Sequence, residues 1–250
     1  MIDAEITGPV GRITLNRPEA HNALDRTAMA EMTGVLESWW EHPDLRVLVV
    51  TGTGKSFCAG ASLGDVAAGG NDWSDNPLTR LCDTLEEFPA PTIARLNGGA
   101  YGGGVEIALA CDFRVGITGM KAFAPPARLG IHYEPAGIRR AMDRVGAQMA
   151  RRMFLLAERF EAEDLHAMGF LDFLMQTGEL DEKVDELVAI LSSLAPLAER
   201  GMKRTIVELS RGTLDAEAAR ERVAACFASA DHAEGLAAQA EKRPPVFVGK

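Results

Sequence analysis

The chain has 250 residues, enough to bury a sizeable core, and reads as one domain with a helical extension. Its 26 Lys and Arg against 36 Asp and Glu leave a formal charge of −10 with no basic block, which argues against nucleic acid as a partner, because phosphate neutralisation needs clustered cations. No apolar run reaches the roughly 18 residues of a membrane span, which argues against a membrane partner.

The opening Met1-Ile2-Asp3-Ala4-Glu5 is acidic where a secretory leader is basic and then apolar. Cys58, Cys82, Cys111 and Cys226 show no CxxC spacing, so a soluble cytoplasmic protein with free thiols is expected. Residues 2–7 and 10–16 read as two short strands around Gly8-Pro9. Asp25 is placed to N-cap a helix reaching about Trp40, with Ala28, Met32, Val35 and Trp39 along one face. Strand and helix patterns then alternate: 46–51, a loop after Phe57, 92–97, a helix from about 102, and 112–117. Such alternation predicts an α/β fold with a largely parallel sheet covered by helices. From about 136 onward the pattern is helical almost throughout, apart from the apolar patch Phe170-Leu171-Asp172-Phe173-Leu174. The stretch from Gly64 to Pro77, rich in Gly, Asp and Asn, reads as a mobile surface loop near the site.

Two segments about forty residues apart carry most of the functional signal. Phe57-Cys58-Ala59-Gly60-Ala61-Ser62-Leu63 follows the apolar run Val47–Val50, and Asn97-Gly98-Gly99-Ala100-Tyr101-Gly102-Gly103-Gly104-Val105-Glu106 follows Thr92–Leu96. Small residues at a strand end leave backbone N–H groups uncovered. A helix N-terminus adds unpaired donors and a partial positive charge. Together they suggest two amides aimed at a carbonyl oxygen that becomes negative during reaction. Taken singly, each glycine group is equally consistent with a tight strand-to-helix turn.

In order and spacing these segments resemble the enoyl-CoA hydratase/isomerase (crotonase) superfamily, nearly end to end. The likeness includes Ile13-Thr14-Leu15-Asn16-Arg17-Pro18, Asn22-Ala23-Leu24, Pro126-Ala127-Arg128-Leu129-Gly130-Ile131 and Glu241-Lys242-Arg243-Pro244-Pro245-Val246-Phe247. The resemblance implies a spiral of ββα units over residues 1–195 and a C-terminal α-helical region, 196–250, used in packing a homotrimer or dimer of trimers. It implies an acyl-CoA substrate, with coenzyme A as part of that substrate and no bound cofactor or metal. It assigns the oxyanion contacts to the backbone N–H groups of Ala61 and Gly103. It places Ala59, Ser62, Leu63 and Gly64 along the coenzyme, and Arg17, Ala23 and Leu24 near the nucleotide. Lys242 and Arg243 are candidates to meet its phosphates, against the plainer reading that they cap a helix.

Glu106 is the leading catalytic candidate. It lies three residues after Gly103 among Val105, Ile107 and Ala108, so a desolvated carboxyl suited to acid/base work is expected, against a solvated first-turn glutamate. Hydratase-like relatives pair two glutamates, the second in a Pro-Glu ahead of Leu-Gly; here Pro126 takes that place and brings no acid/base group. Substitutes lie downstream in His132-Tyr133-Glu134: Glu134 as an acid/base, Tyr133 as a donor, His132 as a group titrating near neutrality. Relatives similar to methylmalonyl-CoA decarboxylase carry a tyrosine in this loop. Enoyl-CoA hydration or isomerisation leads, decarboxylation is the chemical alternative, and an acyl-CoA-binding protein without turnover is the alternative from another class. A phosphate loop is excluded because Val49 stands where GxxxxGK[ST] needs glycine. No zinc-like spacing occurs, and Ser62 has no histidine partner in a matching motif.

Overall fold

A computed structural model of the chain describes residues 1–62 and 76–250. β1 (Ile2–Thr7) and β2 (Val10–Leu15) form an antiparallel hairpin. β3 (Val47–Gly52) is buried at every position, as its unbroken apolar run predicts for a strand covered on both faces. It lies in a six-stranded sheet of order β1-β2-β3-β5-β7-β10, with β5 (Thr92–Leu96), β7 (Phe113–Ile117) and β10 (Phe173–Met175). Every pairing after the hairpin is parallel.

A second sheet has the order β4-β6-β8-β9, from β4 (Ser56–Cys58), β6 (Gly99–Tyr101), β8 (Lys121–Phe123) and β9 (Arg159–Glu161). Its first three strands are parallel and β9 is antiparallel. Consecutive strands alternate between the sheets: β3 then β4, β5 then β6, β7 then β8. The first two of these pairs are followed by α2 (Pro77–Glu87) and α3 (Gly103–Ala110), and the third by α4 (Pro135–Leu155). This is the ββα spiral that the resemblance implied.

Local chemistry explains the boundaries. The Asp25 carboxylate accepts from the Ala28 N–H at 2.8 Å and starts α1 (Arg26–Trp39). The buried stripe of α1 is Ala28, Met29, Met32, Thr33 and Leu36, with Val35 and Trp39 only half-buried at its margin. The stripe is therefore turned from the expected face. Thr33 can lie in it because its hydroxyl donates to the Met29 carbonyl at 2.9 Å.

The helical reading after 136 misses one strand, β9, while its excepted apolar patch supplies most of β10. In β9 only Phe160 is buried, a period-two pattern too short to register beside long helices, and its register with β8 sets Phe160 against Ala122. β10 takes the end of the apolar patch and pairs with β7. The remaining helices are α5 (Ala162–Ala167), α6 (Leu180–Ser193), α7 (Pro196–Arg211), α8 (Ala216–Ala228) and α9 (Ala230–Glu241). α7 is fastened to the core by Lys203, whose ammonium lies 2.6 Å from Asp112 and donates to the Ala90 carbonyl at 2.9 Å. Arg200 adds a bond to the Leu45 carbonyl at 2.7 Å. Among the described residues no helix is long and apolar enough to cross a membrane.

α4 is interrupted at Gly146, where φ 77° and ψ 160° lie in a region that side-chain-bearing residues avoid. Nothing stands within 4 Å of where a Cβ would be, so the constraint is purely conformational. Gly146→Ala is expected to lower unfolding free energy by about 2 kcal/mol, read from the denaturant midpoint at unchanged slope. A midpoint equal to wild type would show that the break is not obligatory.

Candidate active site

The site is built where the C-terminal ends of β4 and β6 lie side by side, the usual place for ligands on parallel strands. Two asparagines fix the approach to β4. Asn22, itself left-handed at φ 57° and 1% exposed, accepts from the Arg17 N–H at 2.9 Å. Its amide nitrogen lies within donating distance of the carbonyls of Thr53, Ser56 and Phe57, at 2.9, 2.8 and 3.1 Å. Asn97 accepts from the Gly52 N–H and donates to the carbonyls of Gly54 and Ser56. The turn between β3 and β4 is thereby held from both flanks.

Beyond β4 the chain runs beside Leu24. The Leu24 N–H donates to the Gly60 carbonyl and the Ser62 N–H to the Leu24 carbonyl, both at 2.8 Å. Strand alternation then turns the Ala61 N–H to the opposite side. The Gly103 N–H, first in α3, lies outside the helix ladder. Among the described residues neither N–H donates to a protein acceptor. Their segments touch backbone to backbone: a Cβ on Gly60, where φ is 80°, would fall 2.3 Å from Gly103 N, and one on Gly103 would fall 3.4 Å from Ala61 N. Two free amides beside a helix N-terminus are suited to a carbonyl oxygen that gains charge.

All of α3 is buried, and Glu106 is 2% exposed. Its carboxylate accepts from Arg140 Nη1 at 2.7 Å, and the Tyr133 phenol lies beside it. α4 approaches this closely because position 137 is glycine; a Cβ there would fall 2.9 Å from Glu106 Oε1 and 2.5 Å from the Tyr133 ring. Burial pushes the Glu106 carboxyl above the usual carboxylate range, against the opposing pull of Arg140 and Tyr133. Burial first, and then the Glu106 charge, holds the Tyr133 phenol well above its ordinary value, so it is a proton holder at neutral pH. The Tyr133 ring packs on Phe154 at 4.9 Å between centroids.

The other residues singled out from sequence fall as follows. Glu134 is half-buried at the N-terminal edge of α4, and its side chain makes no hydrogen bond or ion pair among the described residues. His132 is exposed and bonds the Tyr133 carbonyl. Pro126 is buried at the start of a short 3-10 turn, Pro126–Leu129. The Ala59 N–H donates to the His21 carbonyl, Leu24 is a core residue, Ala23 is half-buried, and the Arg17 guanidinium lies 3.7 Å from Glu19. Arg243 is held by Glu234 and Glu241, at 2.6 and 2.7 Å, and Lys242 is the left-handed residue ending α9. Leu63 and Gly64, and nearly all of the 64–77 stretch, lie outside the described residues.

Asn22 and Arg140 escaped the sequence reading. Asn22 stood inside a motif with no role assigned to it. Arg140 had a visible signal: it shares the buried face of α4 with Gly137 and Ala141, and an arginine on an apolar face implies a buried partner.

Fold and site together define an α/β protein of the crotonase fold with a buried glutamate beside two converging amides. The sequence profile described as enoyl-CoA hydratase/isomerase matches residues 5–250, and the chain belongs to that family, whose members act on acyl-CoA substrates. An enoyl-CoA isomerase/hydratase of Mycosarcoma maydis is 33% identical, covering 99% of this chain and 95% of its own. A crotonyl-CoA hydratase of Syntrophomonas wolfei is 32% identical over 94% and 93%. The crystal structure of an enoyl-CoA hydratase from Bacillus anthracis superposes with a TM-score of 0.90 at 29% identity, covering 100% and 99% of the two chains.

Asn22→Ala strips a donor from the buried carbonyls of Ser56 and Phe57 and the half-buried one of Thr53. An unfolding free energy lower by about 3 kcal/mol is expected from chemical denaturation. A loss near zero would mean that the turn is held by Asn97 alone.

Proposed function

We propose that the protein moves a proton at the α-carbon of an enoyl-CoA thioester, with the carbonyl oxygen between the amides of Ala61 and Gly103 and Glu106 as the group that takes and returns the proton. The placement of Glu106 carries this reading: a carboxyl 2% exposed, four residues' span from the free Gly103 amide and tuned by Arg140 and Tyr133. The relatives that process enoyl-CoA substrates support it. Coenzyme A enters as part of the substrate, and the chemistry asks for no bound cofactor.

Shifting a double bond between C2–C3 and C3–C4 needs one base that removes a proton at one carbon and returns it at the other through a dienolate. A single carboxyl serves both steps. Hydration asks in addition for a group that deprotonates water as it adds to C3, and Pro126 brings none. Isomerisation is therefore the favoured reaction. Decarboxylation is the second reading, favoured by the protonated Tyr133 phenol beside Glu106. In it the bond from Cα to a carboxylate breaks, its electron pair forms the enolate, carbon dioxide leaves, and the α-carbon takes a proton from this pair.

Three substrates separate the readings: 3-enoyl-CoA converted to the absorbing 2-enoyl-CoA, 2-enoyl-CoA losing its absorbance, and methylmalonyl-CoA releasing carbon dioxide. Glu106→Gln is expected to lower the productive reaction about 10³-fold while acyl-CoA affinity stays nearly unchanged. Unaltered turnover in that variant would remove the catalytic role of Glu106, whereas acyl-CoA binding with none of the three substrates turned over by the unaltered protein would leave a binding protein. Tyr133→Phe should cost far more in decarboxylation than in isomerisation.

Because burial raises the Glu106 carboxyl, its basic form is lost as pH falls through that raised value. The acid limb of kcat should therefore lie above the ordinary glutamate value of about 4.3. A limb at or below that value would contradict the assignment.

A homotrimer or dimer of trimers in the cytoplasm is part of the same proposal. Exposed Met202, Ile206 and Leu209 on α7 and Phe227 on α8 support subunit contact there. Light scattering at the mass of one chain would overturn it.

A further inference from the structure

Glu106 is one end of a chain of charges that runs through the core to the C-terminal helices. Arg140, whose side chain has no exposed surface, donates to Glu106 with Nη1 at 2.7 Å and pairs through Nη2 with Asp83 on α2. Its Nε lies 3.4 Å from Glu86 Oε2, without hydrogen-bond geometry. That same Glu86 oxygen accepts from Arg139 at 2.6 Å and from Arg211, at 2.7 Å from Nη2 and 3.1 Å from Nε. Arg211 also reaches Asp83 at 3.2 Å and pairs with Glu87. It stands in the last turn of α7, more than seventy residues along the chain from Arg140.

At the centre of the cluster the guanidinium groups of Arg139, Arg140 and Arg211 meet the carboxylates of Asp83, Glu86, Glu87 and Glu106, with Asp143 on Arg139 and Arg204 on Glu87 at its edge. We propose that Arg211 is a positioning residue for Glu106: by neutralising Asp83 and Glu86 it leaves Arg140 free to hold the Glu106 carboxylate, so the docking of α7 decides how Arg140 is shared. This rests on Glu106 being the acid/base group.

The groups set against Glu106 are Cys82 and Asp83 from α2, Tyr133 just before α4 and Arg140 on it, with Glu86 one step away through Arg140. Burial pushes the thiols of Cys58 and Cys111 up to about 12 and raises Cys82 well above its usual range, so all three stay neutral at physiological pH. Tyr133 is neutral for the same reason. Although burial itself acts the other way, Arg140, Arg139 and Arg211 hold the Glu86 carboxyl below its ordinary value. The charges that bear on Glu106 are therefore Arg140 and Asp83 directly and Glu86 through Arg140, and Arg211 acts on two of them.

The sign follows. Without Arg211, Asp83 and Glu86 attract Arg140 more strongly and add uncompensated negative charge. Both effects disfavour the Glu106 carboxylate and raise its midpoint. Removing the charge of Glu86 instead does the reverse.

The test is a 13C NMR titration of protein labelled at the glutamate side-chain carboxyl, with the Glu106 signal assigned by its loss in Glu106→Gln. Arg211→Gln should raise the midpoint by about 0.5 pH unit or more, and Arg211→Lys should restore most of it. Glu86→Gln should lower it, an opposition of sign that structural loosening does not produce. Arg222→Gln removes an arginine of similar exposure that pairs with Glu208 between α8 and α7, and should leave the midpoint in place. If Arg211→Gln does not fold, Arg139→Gln takes a cation from the same Glu86 oxygen and carries the same expectation. A Glu106 midpoint unmoved by Arg211→Gln or its substitute, or moved equally by Arg222→Gln, overturns the proposal. The titration needs no substrate, so it fails or succeeds separately from the catalytic reading, which Glu106→Gln turnover decides.

Discussion

The contact on which the site depends is backbone against backbone: Gly60 at the end of β4 against Gly103 at the start of α3. It exists because the spiral places β4 and β6 as parallel neighbours, so the chain leaves both strands in the same direction at the same place. Side chains at position 60 would occupy the space of the Gly103 nitrogen, and the left-handed φ of 80° excludes most of them independently. Steric and conformational demands thus agree on one residue type. What is gained is a pair of amides whose directions are set by the two sheets, not by flexible side chains, and which need no reorganisation as charge develops.

The same close packing obliges α3 to be wholly buried, which makes its glutamate expensive to ionise. A carboxylate in such a place persists only with a partner, and Arg140 is that partner. Arg140 is equally buried and needs carboxylates in turn, so the demand for compensation propagates through Asp83 and Glu86 until it reaches Arg139 and Arg211 nearer the surface. Replacing a buried ion pair with apolar side chains often costs no stability, so a chain of this length is weak evidence for stability. Under the proposed function it is the consequence of keeping one ionisable group where a substrate carbonyl would be polarised. Glycine at 137 serves that end by letting α4 come within reach.

Much of this was legible in the sequence for identifiable reasons. In the middle of the first sheet β3 is a continuous apolar run, and α1 has both its cap and its period. The small residues before Glu106 mark a strand-to-helix turn regardless of tertiary context. Burial of Glu106 followed from its neighbours Val105, Ile107 and Ala108. Other features depend on residues that are distant in sequence. Three-residue strands such as β9 are defined by their partner, not by their own pattern. The buried face of α1 was misplaced because Thr33 satisfies its hydroxyl locally and so counts as apolar. Arg140 was passed over because arginine is ordinarily a surface residue, and its three acidic partners come from two other helices.

Tyr133 and Pro126 bear on what an enolate formed here would do next. The phenol is held protonated by burial and by the neighbouring carboxylate, so at neutral pH it gives a proton and does not take one. The position that would supply a second carboxyl is a buried proline. Adding water needs a proton acceptor on the water side, and activation by Glu106 alone would divert that carboxyl from the α-carbon. Returning a proton to carbon needs only the donors already in contact, Glu106 and Tyr133. Under the proposed reading, the balance of groups around the two amides is that of a site that protonates an enolate, whether the enolate arises from proton loss or from the loss of carbon dioxide.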